Sequence, residues 1–369
     1  MKVCFIVSQI FAWGKYGGFG SLTRLLGRGL ADKGVEVSAV VPMRAGQRRR
    51  ERLDDIDIFG YNQALFLFDK EPFRACGADI FHSQEPTFSS YLAIKAMPDS
   101  RHIITCQDPR DRGDLYTEFI YSSPEKRIRF PATWFFESSA FSSKAVREAD
   151  AVYCQAKFIK EKAKRLYGLR RPPGFLPNPV VIPKEKPNKA RRPTVCFMGR
   201  WDRRKRPELF FELAKHRPDI HFIAVGSDHD KKRDARLRRR YSSLPNLEMP
   251  GFIDQFSSPE ADDALKRSWV LVNTSARECL PVTFLEAAAN RCAILSGVEP
   301  DPDGFAGSFG YHARGGDFER GLDYLIEGDR WKGLGEKGFE YVLRNHAMDK
   351  VVDEHIKAYH EILSDNSHE

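Results

Sequence analysis

Two glutamates at one loop-to-helix junction are the best candidates for chemistry in this sequence. Glu278 and Glu286 lie eight residues apart, and Pro281 between them fits the first turn of a helix. The free backbone N–H groups and the positive end of such a helix suit a phosphate. The two carboxylates could then reach different parts of one extended polar ligand, such as a sugar and a ribose. The alternative is that both are ordinary acids of a first turn and a solvent-exposed face.

A run of cations forms a second candidate group. Arg200 and Lys205 follow an apolar segment that ends at Met198, so we expect them at the carboxyl end of a strand. A guanidinium and an ammonium together would hold a diphosphate. The alternative is a solvated basic loop.

The first half of the chain offers glycines and polar strand ends. Gly17 and Gly18 precede a predicted helix and would let the backbone approach a phosphate, unless they form a flexible loop tip. They do not follow the first strand directly, so the dinucleotide fingerprint of a dehydrogenase is not matched. His82, Gln107 and Asp108 end two predicted strands and could supply polar contacts, although a lone histidine is more often structural.

Short apolar runs alternate with helical patterns almost from end to end, which predicts a layered α/β fold with parallel strands. Prolines between residues 170 and 193 forbid a continuous helix or central strand, so this segment is expected to connect two domains. We therefore predict two doubly wound Rossmann-like domains facing across a cleft, over residues 1–178 and 179–345. A terminal helix over 346–369 is expected to pack back toward the first domain. Ligands of such sheets bind at the carboxyl ends of the strands.

Composition narrows the function classes. No stretch approaches the roughly 20 apolar residues of a membrane span, and the first residues indicate a strand, so a cytoplasmic location is expected. The seven cysteines show no metal-ligand spacing and are expected to be reduced. The net charge of +8 fits an anionic ligand, an acidic membrane or nucleic acid. No nucleic-acid recognition motif accompanies the charge, so no nucleic-acid partner is predicted.

A basic cluster over residues 44–52 follows a strand of the first domain. It suggests an anionic acceptor or peripheral association with the inner face of an anionic membrane. A solvated mobile loop is the alternative.

In the order and spacing of these motifs, the chain resembles the GT-B glycosyltransferases of the large retaining family four. The resemblance covers nearly the whole chain, and its most specific elements are Gly199-Arg200 with Lys205 and the Glu278–Glu286 pair. It implies a retaining, metal-independent hexosyltransferase without cofactor. Such an enzyme moves a sugar from a UDP or GDP donor to an acceptor hydroxyl, as in the synthesis of cell-surface polysaccharide or glycolipid. The acceptor would be a saccharide, a lipid-linked compound or a small molecule bound by the first domain.

The resemblance also implies a role for each candidate residue. Arg200 and Lys205 would neutralise the leaving diphosphate, Glu278 would bind donor-sugar hydroxyls, and Glu286 would hold the ribose. Further donor contacts are expected at Gly17, Gly18, Phe252, Ile253, Leu280, Val282 and Thr283, and acceptor or sugar contacts at His82, Gln107 and Asp108.

Two glutamines depart from the family pattern. Gln84 and Gln107 stand where family members often have histidine, and an amide can bind a hydroxyl but cannot titrate near neutral pH. The family's front-face displacement tolerates this, because the departing phosphate takes the acceptor proton. The alternative function is a nucleotide-sugar-binding protein without transfer. An epimerase or phosphorylase of the same architecture fits the motif spacing less well.

Overall fold

The computed structural model describes residues 1–10, 18–43, 46–62, 69–254, 256, 258 and 260–365. Contacts divide the chain into two compact units. The first unit contains residues 1–115 and 124–179 and the described chain from 348 onward. The second contains residues 116–123 and 180–347.

An eight-stranded sheet forms the centre of the first unit. Its strands are β1 (Lys2–Ile6), β2 (Glu36–Pro42), β3 (Arg50–Leu53), β4 (Ile56–Tyr61), β5 (Ile80–Ser83), β6 (Arg101–Cys106), β7 (Ala151–Cys154) and β8 (Gly174–Phe175). Their order is β3-β4-β2-β1-β5-β6-β7-β8, and all neighbours are parallel except β3 and β4. The central strands are apolar along their length because both faces of the sheet are covered.

Helices connect these strands. They are α1 (Gly18–Asp32), α2 (Glu71–Cys76), α3 (Phe88–Ala96), α4 (Arg112–Tyr121), α5 (Pro124–Ser138), α6 (Ala140–Glu148) and α7 (Lys160–Tyr167). The boundary between the units falls inside α4, whose residues from Tyr116 onward belong to the second unit.

The second unit is built on a parallel six-stranded sheet. Its strands are β9 (Thr194–Met198), β10 (His221–Val225), β11 (Leu247–Gly251), β12 (Val270–Asn273), β13 (Ala293–Ser296) and β14 (Gly310–His312). The order β11-β10-β9-β12-β13-β14 places β9 and β12 side by side at the centre. Its helices are α8 (Pro207–His216), α9 (Lys231–Tyr241), α10 (Glu260–Arg267), α11 (Val282–Ala289), α12 (Phe305–Phe309), α13 (Phe318–Ile326) and α14 (Arg330–Asn345).

The last helix, α15 (Met348–Ser364), packs in the first unit. Val352 and Tyr359 of α15 share a core with Leu26 and Leu30 of α1. The chain from 318 to 364 forms the three separate helices α13, α14 and α15, the last of which follows α14 after a break at His346.

The two parallel sheets covered by helices confirm the predicted α/β class with two Rossmann-like sheets. Among the features that were not predicted are the β3–β4 hairpin and the helices α4 and α5. None of the described helices combines the length and apolar character that crossing a bilayer requires.

Candidate functional site

Lys205 and Glu278 meet at the carboxyl edge of the second sheet. Because β9 and β12 are neighbours, the loops that follow them lie side by side. Lys205 ends a 3₁₀ turn after β9, and Glu278 lies in the loop between β12 and α11. The Lys205 Nζ forms an ion pair with Glu278 Oε1. Only 20% and 10% of the two side chains is exposed, so the pair is largely shielded from solvent.

Hydrogen bonds from side chains to backbone carbonyls hold these two loops together. The Thr274 hydroxyl lies 2.7 Å from the Lys205 carbonyl and 2.9 Å from the Arg206 carbonyl. In return, the Arg206 guanidinium donates to the carbonyls of Thr274 and Ser275 at 2.6 and 3.0 Å. Sequence reasoning missed Thr274 and Arg206, although they hold the backbone that carries Lys205 against the loop after β12.

Nearby cations keep Glu278 ionised. Burial alone would raise the pKa of this carboxyl, but the charges of Lys205 and Arg204 outweigh it and lower the pKa below its usual value. An ionised carboxylate is an acceptor only, so Glu278 can receive hydrogen bonds from hydroxyl groups.

Arg200 lies at the mouth of the same edge. Its Nη2 is 3.3 Å from Asp202 Oδ2, and a third of its side chain remains exposed. Asp202 in turn caps the 3₁₀ turn by accepting from the Lys205 amide. Burial would raise the pKa of Asp202, but the charges of Arg200, Arg204 and Lys205 lower it. Arg200 is therefore held in place with part of its guanidinium open to a ligand.

Glu118 joins the same group of charges from the end of α4. Its Oε1 lies 3.6 Å from both Arg204 Nη1 and Arg277 Nη1. This carboxylate offsets part of the positive charge of the loops after β9 and β12. No sequence signal pointed to Glu118. Residues 124–179, which separate α4 from the rest of the second unit in the chain, belong to the first unit.

A small pocket opens at the N-terminus of α11. It is partly open to solvent, and its lining includes Lys205, Asn273, Ser275 and Thr283. Pro281 precedes the first helical residue, and among the described residues no side chain caps this end. The amides of Val282 and Thr283 thus lie in the first turn, where an anion is favoured.

The predicted contact at Leu280 is restricted to the backbone, since its side chain is buried at 5% exposure. Glu286 lies one turn further along α11 and is half-buried. Burial, and then the charge of Asp262, raise the pKa of Glu286 to about 7. Its carboxyl can therefore both donate and accept hydrogen bonds near neutral pH.

The loops after β9, β10 and β11 approach one another at glycines. The Gly226 amide donates to the Gly251 carbonyl at 2.7 Å. A Cβ on Gly226, whose φ is +136°, would lie 1.8 Å from the Gly199 carbonyl oxygen, so a side chain cannot fit there. Phe252 follows this contact with 42% of its surface exposed, and Ile253 is half-buried.

The predicted glycine contact of the first unit is only partly described. Gly17 lies outside the described residues, and Gly18 is the exposed first residue of α1.

His82 lies in the interior of the first unit. It is fully buried, with Nδ1 2.8 Å from the Tyr359 hydroxyl and Nε2 2.8 Å from the Thr105 hydroxyl. Burial, with a further contribution from His355, lowers its pKa well below the usual value, so the ring is neutral. Both ring nitrogens are therefore already used inside the first unit, and the acceptor-side contact at His82 stays a prediction.

Gln107 also lies beneath the surface, at 6% exposure. It forms a two-way amide pair with Asn178, with donor–acceptor distances of 3.0 and 2.9 Å. The Gln107 amide lies 3.3 Å from Gln84 Oε1, and Asn178 also donates to Gln155 at 3.2 Å. Gln84, Gln107 and Gln155 follow the adjacent strands β5, β6 and β7, so neutral amides occupy this part of the edge.

Asp108 is half-buried beside Glu85. Its amide donates to Glu85 Oε2 at 2.9 Å, and Arg110 pairs with Glu137 at 2.7 Å nearby. Burial is the main reason that the pKa of Glu85 rises to about 8, and the charge of Asp108 adds to it. Sequence reasoning did not single out Glu85, because no motif marks a carboxyl whose environment favours the protonated form.

Clusters of side chains that could bind a metal ion are absent from the described part of the chain. Within those ranges, no three His, Cys, Asp or Glu side chains stand together in a way that could hold a metal ion.

Comparisons with known proteins identify the family. The family model described as Glycosyltransferase Family 4 matches residues 16–182, and the model Glycosyl transferases group 1 matches residues 181–306. Together they cover most of both units. No curated protein matches the sequence.

Solved structures share the fold. Sucrose-phosphate synthase from Thermosynechococcus elongatus aligns with a TM-score of 0.73 at 16% identity, over 98% of this chain and 99% of that one. Anabaena HepE in complex with UDP and glucose aligns at 0.67 and 11%, over 97% and 99%. WaaG, a glycosyltransferase involved in lipopolysaccharide biosynthesis, aligns at 0.67 and 12%, over 96% and 99%. From its two family matches and its shared fold, the chain belongs to the GT-B glycosyltransferases of the family-four type.

Proposed function

We propose that this protein is a retaining, metal-independent hexosyltransferase that moves one sugar from a nucleotide-sugar donor to an acceptor hydroxyl. The observation that carries the proposal is the Lys205–Glu278 ion pair beside the uncapped N-terminus of α11, with Arg200 exposed at the same edge. This arrangement combines fixed positive groups with an ionised acceptor. The first suits a diphosphate and the second suits sugar hydroxyls.

Departure of the diphosphate is the step that these cations would assist. When the bond between the anomeric carbon and the phosphate oxygen breaks, negative charge grows on the leaving group. The Lys205 ammonium has three donors, of which Glu278 uses one, so the others remain for phosphate oxygens. Arg200 and the first-turn amides of α11 would share the charge that a metal ion carries in other enzymes.

Glu278 and Glu286 would bind the two neutral parts of the donor. The ionised carboxylate of Glu278 would accept hydrogen bonds from sugar hydroxyls. Glu286, whose pKa of about 7 allows both protonation states, could hold ribose hydroxyls as donor or acceptor. Phe252 and Ile253 remain our proposed contacts for the base.

The acceptor proton would pass to the departing phosphate oxygen as the new bond forms on the same face of the sugar. This path needs no protein base. It fits an acceptor-side edge at which His82 is buried and the neighbouring Gln84 and Gln107 cannot titrate near neutral pH. Asp108 remains a proposed polar contact at this edge.

We further propose that the protein works inside the cell on a saccharide, lipid-linked or small-molecule acceptor, in cell-surface polysaccharide or glycolipid synthesis. The UDP and glucose bound by HepE support UDP-sugars as the first donors to test. A nucleotide-sugar-binding protein without transfer is the second candidate, favoured by the neutral amides at the edge of the first sheet.

A panel of nucleoside diphosphates and their sugars tests the proposal. A true donor raises the melting temperature, because a ligand that binds only the folded state stabilises it. Slow hydrolysis of that donor in the presence of EDTA would support a metal-independent transferase. Binding without hydrolysis or transfer to any acceptor would favour the second candidate, and no stabilisation by any compound would contradict both.

A further inference from the structure

Two cysteines of the first unit meet between β1 and α2. Cys4 is fully buried in β1, in register with Ser38 of the neighbouring β2. Cys76 is the last residue of α2, and its half-buried side chain packs against the apolar cluster that contains Cys4. The two thiols are hydrogen-bonded to each other, although β2, β3 and β4 lie between them in the chain. The fold therefore brings two free thiols together at one point.

The two thiols differ in the properties that decide cysteine reactivity. Burial is the main reason that the pKa of the Cys4 thiol rises well above its usual value. The hydrogen bond with Cys4 lowers the pKa of the Cys76 thiol and outweighs the opposing effect of burial. The thiolate is the nucleophile in cysteine chemistry, so Cys76 is the more reactive of the two. Cys76 is also the one that an oxidant in solution can reach.

The end of α2 can adjust to bring Cys76 onto Cys4. The helix has only six residues, and the Cys76 thiol donates to the Phe73 carbonyl at 3.0 Å. Gly77 follows in the left-handed conformation, with φ +54° and open space around its Cα. A short helix that ends in this way is easily shifted, whereas β1 is held between β2 and β5. A small shift at α2 is therefore sufficient to meet the narrow geometry of a disulfide.

A second pair of cysteines, in the second unit, lacks these properties. Cys196 and Cys292 are both fully buried. Burial raises the pKa of both thiols, to about 12 for Cys196. The Cys292 sulfur also lies 3.3 Å from the carbonyls of Leu265 and Ser268, which accept from its thiol. This pair therefore offers an oxidant neither a thiolate nor access, and we expect it to stay reduced.

We propose that Cys4 and Cys76 are an oxidation site, at which hydrogen peroxide closes a reversible disulfide between β1 and α2. The Cys76 thiolate attacks one oxygen of the peroxide, and the O–O bond breaks to give a sulfenic acid. The departing hydroxide takes up the proton that Cys76 released and leaves as water. The Cys4 sulfur then bonds to the Cys76 sulfur, the S–O bond breaks, and the hydroxyl leaves with the Cys4 proton as a second water. One peroxide is thus reduced while two thiols are oxidised.

Peptide mass mapping of the full chain after exposure to hydrogen peroxide provides the test. In wild type, the peptides that contain Cys4 and Cys76 should be joined with the loss of two hydrogens, and dithiothreitol should separate them. Cys4→Ala should leave Cys76 as a sulfenic acid that dimedone traps, and Cys76→Ser should leave Cys4 unmodified. The matched control is Cys279→Ser, which removes the other half-buried thiol and should form the disulfide as wild type does.

Wild type alone can overturn the proposal, so the test does not depend on how well the variants fold. Cys76 should be oxidised at least about tenfold faster than Cys196 and Cys292 in the folded chain. Equal rates at all three, or Cys76 oxidised only to sulfinic or sulfonic acid, would contradict a built site. So would disulfide-linked dimers through Cys76 in place of the bond to Cys4. The experiment requires no donor or acceptor, so it can fail while the transferase proposal stands.

Discussion

Lys205 and Glu278 are 73 residues apart in the sequence and form an ion pair at the edge of the second sheet. The pairing is possible because β9 and β12 are neighbours, although β10 and β11 lie between them in the chain. It keeps an ammonium and a carboxylate together beside the start of α11. A donor with both a diphosphate and a sugar presents the two groups that such a pair can bind.

Replacing Glu278 by glutamine should reduce transfer. The amide keeps the size of the side chain but loses the charge that accepts hydroxyl hydrogen bonds and balances Lys205. We expect kcat to fall by about 100-fold or more. Steady-state kinetics with the donor identified by the panel would measure it. The same rate in Glu278→Gln as in wild type would rule out the assigned role.

A methyl group at Gly226 should disturb the edge of the second sheet. Gly226→Ala forces a Cβ against the Gly199 carbonyl at a φ that favours glycine. The free energy of unfolding should fall by more than about 2 kcal/mol, and nucleotide binding should weaken. Gly333→Ala is the control, because its Cβ meets nothing within 4 Å on an exposed helix position. Denaturant unfolding of the two variants should separate them clearly.

Glu85 should make stability depend on pH. Its pKa rises from 4.5 to about 8 in the folded protein, so the folded state holds a proton that the unfolded state releases. The free energy of unfolding should therefore fall as the pH rises from about 4.5 to about 8.

Glu85→Gln keeps an acceptor for the Asp108 amide but removes this titration. Relative to wild type, the variant should gain more than about 1 kcal/mol between pH 5 and pH 8. The exposed Glu161→Gln serves as control. Parallel pH profiles for Glu85→Gln and wild type would contradict the prediction.

Tyr359 should stabilise the first unit through His82. Tyr359→Phe leaves a buried ring nitrogen without its partner, which should lower the free energy of unfolding by about 1–2 kcal/mol. Because both residues lie inside the first unit, the transfer rate of the folded variant should not change. Tyr116→Phe, at a position 67% exposed, should have no effect on stability. A large loss of turnover in stable Tyr359→Phe would contradict this prediction and would support a role for His82 at the site.

The sequence predicted the elements whose signals are local. The apolar runs of β9 and β12 and the proline before α11 placed Arg200, Lys205 and Glu278 at strand and helix ends. The strand β3 was missed because its arginines and glutamate are typical of a loop. It nevertheless pairs with β4 at the edge of the first sheet. The helices α4 and α5 were missed because neither contains a buried residue, so no strict apolar stripe marks them in the sequence.

Other features depend on partners distant in the chain. In the sequence, His82 has the position of a ligand-binding residue at a strand end. Its hydrogen-bond partner Tyr359 lies 277 residues further along the chain. The amide pair of Gln107 with Asn178 spans 71 residues. The side chains of Thr274 and Arg206 donate hydrogen bonds to backbone carbonyls. Every residue type has a backbone carbonyl, so such contacts leave no motif in the sequence. Such roles become visible only once the fold brings the groups together.

The most direct test of the central claim is calorimetric titration of the donor's nucleoside diphosphate into wild type, Lys205→Ala and Arg203→Ala. Arg203 is the exposed cation of the same turn, so the two variants lose equal charge two residues apart. We predict that Lys205→Ala weakens binding by about tenfold or more while Arg203→Ala binds nearly as wild type. Equal affinities in all three proteins would contradict the claim that fixed cations at this edge hold the diphosphate.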